Sequence, residues 1–311
     1  MEKPLSVRGV IPSIITPFRS DLEIDEAGLR RYAKHISTIP GVTGLLCAAY
    51  TGEVDSLTDE EKVRVIELCR TEVSDGIKVY GCVDAHSTRQ AISEGRAMKE
   101  AGADAVQINS PFLNPHRRGY LATPDASVKF FRALNDEVGL PMTVFQYPES
   151  SGMSYSTRTL VELADIHNVV GIKQAGGIDD YIEYHSALGG KVASIADNNG
   201  YTLLAMLLWG ADATMVGASN VGTALYCELF AAAQAGQIPR AVELMNTKLI
   251  KLLSTFTRNL GQTTSSFITR MKEALVMQGL IDLPAVRAPE PAATDEEREG
   301  IRRVLKEVGL I

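Results

Sequence analysis

Positive charge is in deficit in this chain: 31 lysines and arginines stand against 38 aspartates and glutamates, a formal net charge of −7. A protein that grips a phosphate backbone carries the opposite balance, so nucleic acid is excluded as a partner. Long apolar runs are missing as well. The longest, Tyr201 to Trp209, is about half of the roughly 20 residues a spanning helix needs, and no membrane segment is expected. The opening Met1-Glu-Lys-Pro4 has neither the basic start nor the apolar run of a secretion signal, so a cytoplasmic location is the expectation.

Metal and redox signatures are equally sparse. Cys47, Cys69, Cys82 and Cys227 form no CxxC pair and lie among apolar neighbours, which predicts buried free thiols rather than a disulfide or a zinc site. His35, His86, His116, His167 and His185 make no HExxH arrangement, so no metal is expected. Neither GxGxxG nor GxxxxGK[ST] occurs, and Thr16-Pro-Phe-Arg19 stands where an open nucleotide-binding sheet would place its glycine-rich loop.

The composition, 45% hydrophobic and 22% charged, matches soluble globular chains and excludes a mostly disordered one. Eight short apolar runs read as strands: Gly9–Ile15, Gly44–Cys47, Val79–Cys82, Ala105–Ile108, Met142–Phe145, Val169–Ile172, Val192–Ile195 and Ala213–Val216. Runs apolar on both faces are the mark of parallel strands covered by helices. Between them lie helix signals. Thr58-Asp-Glu-Glu61 is a capping box ahead of Val63, Ile66 and Leu68, and Ser87-Thr-Arg-Gln90 opens a helix that stops near Ala101-Gly102. Further helices are expected at Asp125–Asn135, Thr157–Ala164, Tyr201–Trp209 and Leu225–Ala235. The pattern predicts an α/β fold, a (β/α)8 TIM barrel over residues 1–235. A C-terminal helical region over 236–311 follows, with helices at Arg240–Thr257, Thr263–Gln278 and Asp295–Val308.

A barrel of this kind keeps its chemistry at the C-terminal ends of its strands. The residues there are Thr16, Ala49-Tyr-Thr-Gly-Glu53, Asp84, Asn109-Ser110, Gln146-Tyr147, Lys173, Asp197-Asn198 and Gly217-Ala-Ser219. Lys173 is the unusual one, because it follows Val-Val-Gly-Ile172 without a polar spacer and its amine is expected inside the barrel mouth. Desolvation favours the neutral amine, which attacks carbonyl carbon to make a Schiff base. The residue type alone leaves a second reading open, a structural ion-pair partner.

Ile14-Ile-Thr-Pro-Phe18, Tyr50-Thr-Gly-Glu53, Ala101-Gly-Ala-Asp-Ala105 and Val170-Gly-Ile-Lys173 resemble, in order, the dihydrodipicolinate synthase and N-acetylneuraminate lyase family of class I aldolase-type enzymes. Leu57-Thr-Asp-Glu-Glu61, Leu208-Trp-Gly-Ala-Asp212, Ser219-Asn-Val221 and Val286-Arg-Ala-Pro289 extend the resemblance over nearly the whole chain. It implies a lyase with no cofactor, commonly a homotetramer of paired dimers, in which Lys173 forms an imine with pyruvate or another 2-oxo acid. Thr51, Gly52 and their loop N–H groups would hold the carboxylate. Phe145, Tyr147, Ser150 and Met215 would be further substrate contacts.

Three family positions differ. Phe145 stands where the family's fifth strand carries its proton-shuttling tyrosine, Tyr50 replaces the first loop threonine, and Leu113 falls where Phe112-Leu113 matches paired tyrosines. Ser150 replaces the arginine with which dihydrodipicolinate synthases clamp a second carboxylate. Pro148-Glu-Ser-Ser-Gly152 resembles instead the sugar-acid branch, which cleaves or dehydrates 2-oxo-3-deoxy acids. Tyr50 is the expected substitute proton carrier, with Tyr147, Glu149 and Ser150 as alternatives. The basic loop Asn114-Pro-His-Arg-Arg-Gly119 reads as a solvated surface. Dihydrodipicolinate synthesis, a degenerate relative that binds without turnover, and a sugar-phosphate aldolase with a phosphate site at Gly217–Asn220 are the rival readings.

Overall fold

Alternating apolar runs and capped helices place eight parallel strands side by side with helices outside them. The structure is a computed structural model and describes residues 3–111, 124–148, 151–197, 201–257 and 265–311. The strands are β1 Gly9–Val10, β2 Gly44–Leu46, β3 Lys78–Val83, β4 Ala105–Ile108, β5 Met142–Gln146, β6 Val169–Gln174, β7 Ala193–Ala196 and β8 Ala213–Thr214. Each is followed by one helix: α1 Glu26–Ser37, α2 Asp59–Glu72, α3 Thr88–Glu100, α4 Pro124–Glu137, α5 Thr157–Ala164, α6 Ile178–Leu188, α7 Leu203–Leu208 and α8 Thr223–Gln234. Four more helices end the chain, α9 Ile238–Leu244, α10 Ile250–Thr257, α11 Phe267–Met277 and α12 Asp295–Val308. The strand order β1-β8-β7-β6-β5-β4-β3-β2 is that of a TIM barrel, closed by isolated parallel bridges from Val10 to Val42 and from Ser13 to Leu46.

The closure is irregular because the predicted first strand contains Pro12, which has no N–H to give to a ladder. Asn220 compensates. Its amide donates to Ser13 O (2.7 Å), and its Oδ1 accepts from Ile15 N (3.3 Å) and from the Tyr32 hydroxyl (2.5 Å), so β1 is tied to the loop after β8 where the ladder stops. Thr16 Oγ1 then donates to Gly52 O at 2.8 Å, carrying the tie to the loop after β2.

Inside the barrel Ile11, Leu46, Tyr80, Cys82, Ala105, Val170, Ile195 and Met215 fill the space with buried side chains. Pairing of β5 with β6 slips after Met142, which faces Val169 while Thr143 faces Gly171, and this inserts Val170 as an extra residue. Alternation from Gly171 then sends Lys173 inward, and Ile172 and Gln174 outward. A Cβ on Gly171 would lie 2.7 Å from Ile195 Cδ1, so a larger residue there would have to push the Ile195 side chain aside beneath the lysine.

The helices start where their caps predict. Thr58 and Glu61 form a reciprocal capping box, as do Thr294 and Glu297. The expected helix Arg240–Thr257 is interrupted by a π turn at Met245–Leu249, which admits one more residue while Leu244, Met245, Leu249, Leu252, Leu253 and Phe256 stay buried. The helix expected from Tyr201 to Trp209 is shorter, Leu203–Leu208, and both of those end residues are substantially exposed.

The C-terminal region docks through charge as well as apolar surface. Lys272 of α11 is fully buried, forms an ion pair with the equally buried Glu53, donates to Ala285 O (2.8 Å) and lies 4.2 Å from the Phe18 ring centre. Arg287 lies 4.5 Å from the centre of the same ring and pairs with Glu61. Burial pulls the Lys272 ammonium down from 10.5 to about 8 against the opposing pull of Glu53. The unfolded chain therefore holds a proton between pH 8 and 10.5 that the native chain has released, and stability rises with pH across that window. The expected gain approaches about 3 kcal/mol. Urea unfolding at several pH values reads it as a slope that Lys272→Met lacks, and identical slopes in the two proteins would refute it.

Candidate active site

The mouth of the barrel holds a cavity of about 190 Å³ lined by Ser13, Tyr50, Thr51, Phe145, Lys173, Asp197, Gly217, Phe267 and Ile268. Six strand ends and the start of α11 meet there. Lys173, near the end of β6, is only 5% exposed, so its four-carbon stem is sheathed and its amine faces the cavity. Nζ lies 3.1 Å from Oδ2 of Asp197, the residue that follows β7, and 4.3 Å from the ring centre of Phe145 on β5. Burial raises the Asp197 carboxyl above its ordinary range, with the Lys173 charge opposing it.

After β2 the chain makes a tight turn, Tyr50–Gly52, flanked by two non-glycine residues at positive φ, Ala48 (+49°) and Glu53 (+61°). Such a conformation costs roughly 1–2 kcal/mol per residue and needs support. Glu53 has it in Lys272, and the turn itself is held at the Gly52 carbonyl by the Thr16 hydroxyl. The first N–H groups of a short turn have no acceptor within it, and Tyr50 and Thr51 of this turn line the cavity. Thr51 also abuts Gly217, where an added Cβ would come within 2.4 Å of the threonine hydroxyl.

The Tyr50 hydroxyl is hydrogen-bonded to that of Tyr147 at 2.7 Å. Tyr147 lies beyond the end of β5 yet keeps the side of the sheet that Phe145 occupies, the two ring centres 4.3 Å apart. Burial raises both phenols above their ordinary range; the charge of Asp84 adds to the effect at Tyr50, and Tyr50 itself adds to it at Tyr147.

The site thus brings together Lys173, Tyr50, Thr51, Phe145 and, one layer behind, Tyr147. Gly52 is not among the residues that line the cavity, and its carbonyl is taken by the Thr16 hydroxyl. Met215 differs from its expected role: it is fully buried in the packed layer of the barrel interior and is not part of the cavity wall. Inward alternation on β8 places it below the mouth, where filling space is its contribution. Ser150, Glu149, Leu113, the loop 114–119 and Asn198 lie outside the described residues. Both readings of Lys173 meet in one geometry, since the amine faces the cavity and carries an ion-pair partner.

Sequence reasoning placed Asp197 at a strand end without a role. The available signal was alternation, because Ile195 faces inward and Asp197 two residues on does the same. Phe267 and Ile268 had no such signal, since they reach the cavity from the C-terminal region. No group of three or more histidine, cysteine or acidic residues arranged to hold a metal occurs among the described residues. Nor is any described helix long and apolar enough to cross a membrane.

Residues 6–308 match the dihydrodipicolinate synthetase family. The chain belongs to that family. A 4-hydroxy-tetrahydrodipicolinate synthase of Syntrophus aciditrophicus is 29% identical over 304 residues, covering 98% of this chain and 99% of that one. The dihydrodipicolinate synthase of Acinetobacter baumannii, solved in complex with pyruvate, superposes with a TM-score of 0.86 at 28% identity over 98% of this chain and all of that one. The Ruminococcus gnavus sialic acid aldolase shares the fold, with a TM-score of 0.86 at 18% identity over 97% of this chain and 95% of that one. The protein is accordingly a lyase of the class I aldolase type.

Because both cavity phenols are held protonated, neither contributes to the phenolate absorbance that ordinary tyrosines develop near pH 10. Tyr50→Phe and Tyr147→Phe should each match the wild-type absorbance rise between about pH 9 and pH 11. A rise smaller by one tyrosine in either variant would count against the buried pair.

Proposed function

We propose that this member of the family is a Schiff-base lyase that cleaves or dehydrates a 2-oxo acid, with Lys173 as the nucleophile. The observation that carries the reading is the Lys173 amine at the wall of a small cavity in the barrel mouth, beside the Thr51 turn. At about 190 Å³ the cavity is below the roughly 300–1,000 Å³ of sites for drug-sized ligands, which suits a short 2-oxo acid better than an organic cofactor. The pyruvate complex of the Acinetobacter relative supports the same class of ligand.

In this reading Thr51 and the N–H groups of its turn bind the substrate carboxylate, Lys173 condenses with the neighbouring ketone, and the protonated imine accepts the electron pair released beyond C3. Tyr50 serves as proton donor. Its phenol carries a proton that a leaving hydroxyl can take, and Tyr147, hydrogen-bonded to it, is the next group along. Phe145, whose ring lies against Nζ, has no proton to transfer in any of these reactions. Ser150, in place of a carboxylate-binding arginine, favours cleavage or dehydration over dihydrodipicolinate synthesis.

Borohydride reduction in the presence of pyruvate, followed by peptide mass spectrometry, tests the nucleophile. An adduct mapped to the Lys173 peptide and absent from Lys173→Ala is the expected result, and failure to trap pyruvate or any of a small panel of 2-oxo acids would reject imine chemistry. The carboxylate site has its own test in Gly217→Ala. The new methyl displaces the Thr51 hydroxyl, and in preparations that melt close to the wild type the loss of a hydrogen bond to a charged group should weaken 2-oxo acid binding roughly 10- to 100-fold. Unchanged half-saturation of trapping would remove Thr51 from the site.

A further inference from the structure

Imine formation moves protons at the nitrogen and at the departing carbonyl oxygen, so a group at the imine itself must give and take them. Phe145 cannot. The Tyr50 hydroxyl, the donor for the leaving hydroxyl, bonds to Tyr147 and not to Nζ. What does touch Nζ is the carboxyl of Asp197, 3.1 Å away, on a side chain that is 9% exposed and lines the same cavity.

We infer that Asp197 is the acid–base catalyst of imine formation at Lys173 and the counter-ion of the cationic imine. The inference rests on Lys173 being the nucleophile. In the resting pair the ammonium passes one proton to the carboxylate, leaving a neutral amine and a carboxylic acid. The amine nitrogen adds to the ketone carbon of the 2-oxo acid, and a proton moves from nitrogen to the former carbonyl oxygen, giving the carbinolamine. Asp197 returns its proton to that hydroxyl, the C–O bond breaks, and water leaves. Ammonium plus ketone have become protonated imine plus water. The carboxylate is regenerated beside the new cation, so the charge pair that existed before the reaction exists after it.

Burial favours this exchange. Two opposite charges taken out of water are stabilised chiefly by each other, and a shared proton relieves the desolvation of both at once. The raised tendency of Asp197 to hold a proton has the same origin.

The test follows the rate of borohydride trapping with pyruvate in wild type, Asp197→Asn and Asp197→Ala, using preparations that melt within a few degrees of one another. Asp197→Asn should trap at least about 100-fold more slowly, in line with the loss of one acid–base group. Asp197→Ala, which opens room for a small carboxylate, should be equally slow and should speed up in proportion to added formate. A structural role predicts no such rescue. Trapping in Asp197→Asn at the wild-type rate would overturn this role while leaving Lys173 as nucleophile. Absence of any adduct in the wild type would overturn both.

Discussion

The buried ion pair between Glu53 and Lys272 is the contact on which the site depends. It joins the turn after β2 to α11, and so fastens the C-terminal helices to the barrel at the one place where both contribute to the cavity. Removing two charges from water costs several kcal/mol per ion, and only close mutual contact with further polar support offsets it. Here that support is Ala285 O and the Phe18 ring for the ammonium, and the Arg287 backbone N–H, at 3.3 Å, for the carboxylate. With Glu53 held at φ +61°, the Tyr50–Gly52 turn has little freedom, and Thr51 and Tyr50 are presented to the cavity without reorganisation. Preorganised donors of this kind are the usual means by which an enzyme stabilises developing charge.

On the opposite wall, position is set by sheet geometry. The extra residue in β6 and the glycine at 171 let Lys173 enter the barrel above Ile195, and the same inward alternation on β7 delivers Asp197 against it. Phe145 from β5 completes the enclosure. Three neighbouring strands thus contribute a cation, an anion and an aromatic face, each from a rigid element. The phenol pair Tyr50–Tyr147 joins the two walls across β2 and β5. With phenylalanine at 145, the site still has a carboxyl at the nitrogen and phenols farther out.

Much of this was legible in residues. The apolar runs located all eight strands, since a strand buried on both faces has no polar alternation to hide it. Thr58–Glu61 and Ser87–Gln90 marked helix starts through chemistry that is local and needs no partner. Lys173 stood out because an amine directly after a buried strand has few places to go. The failures are instructive in the same terms. Pro12 shortened β1 to two residues, Met215 turned into the packed interior, and Lys272, inside a predicted helix, gave no sign that it would be fully buried. Burial of a charge is decided by a partner far away in the chain, and Glu53 is 219 positions from Lys272 by their numbers.

By itself the sequence determined the alternation of strands and helices, the barrel that alternation implies, and the lysine at the end of the sixth strand. These depend on periodicity and local capping, which act over a few residues. Only the tertiary structure decided that Asp197 faces Lys173, that Tyr147 meets Tyr50, that Phe267 and Ile268 from α11 line the cavity, and that Glu53 is held by Lys272. Each of those is a contact between side chains from separate elements, with a register and direction that exist only once the barrel has closed.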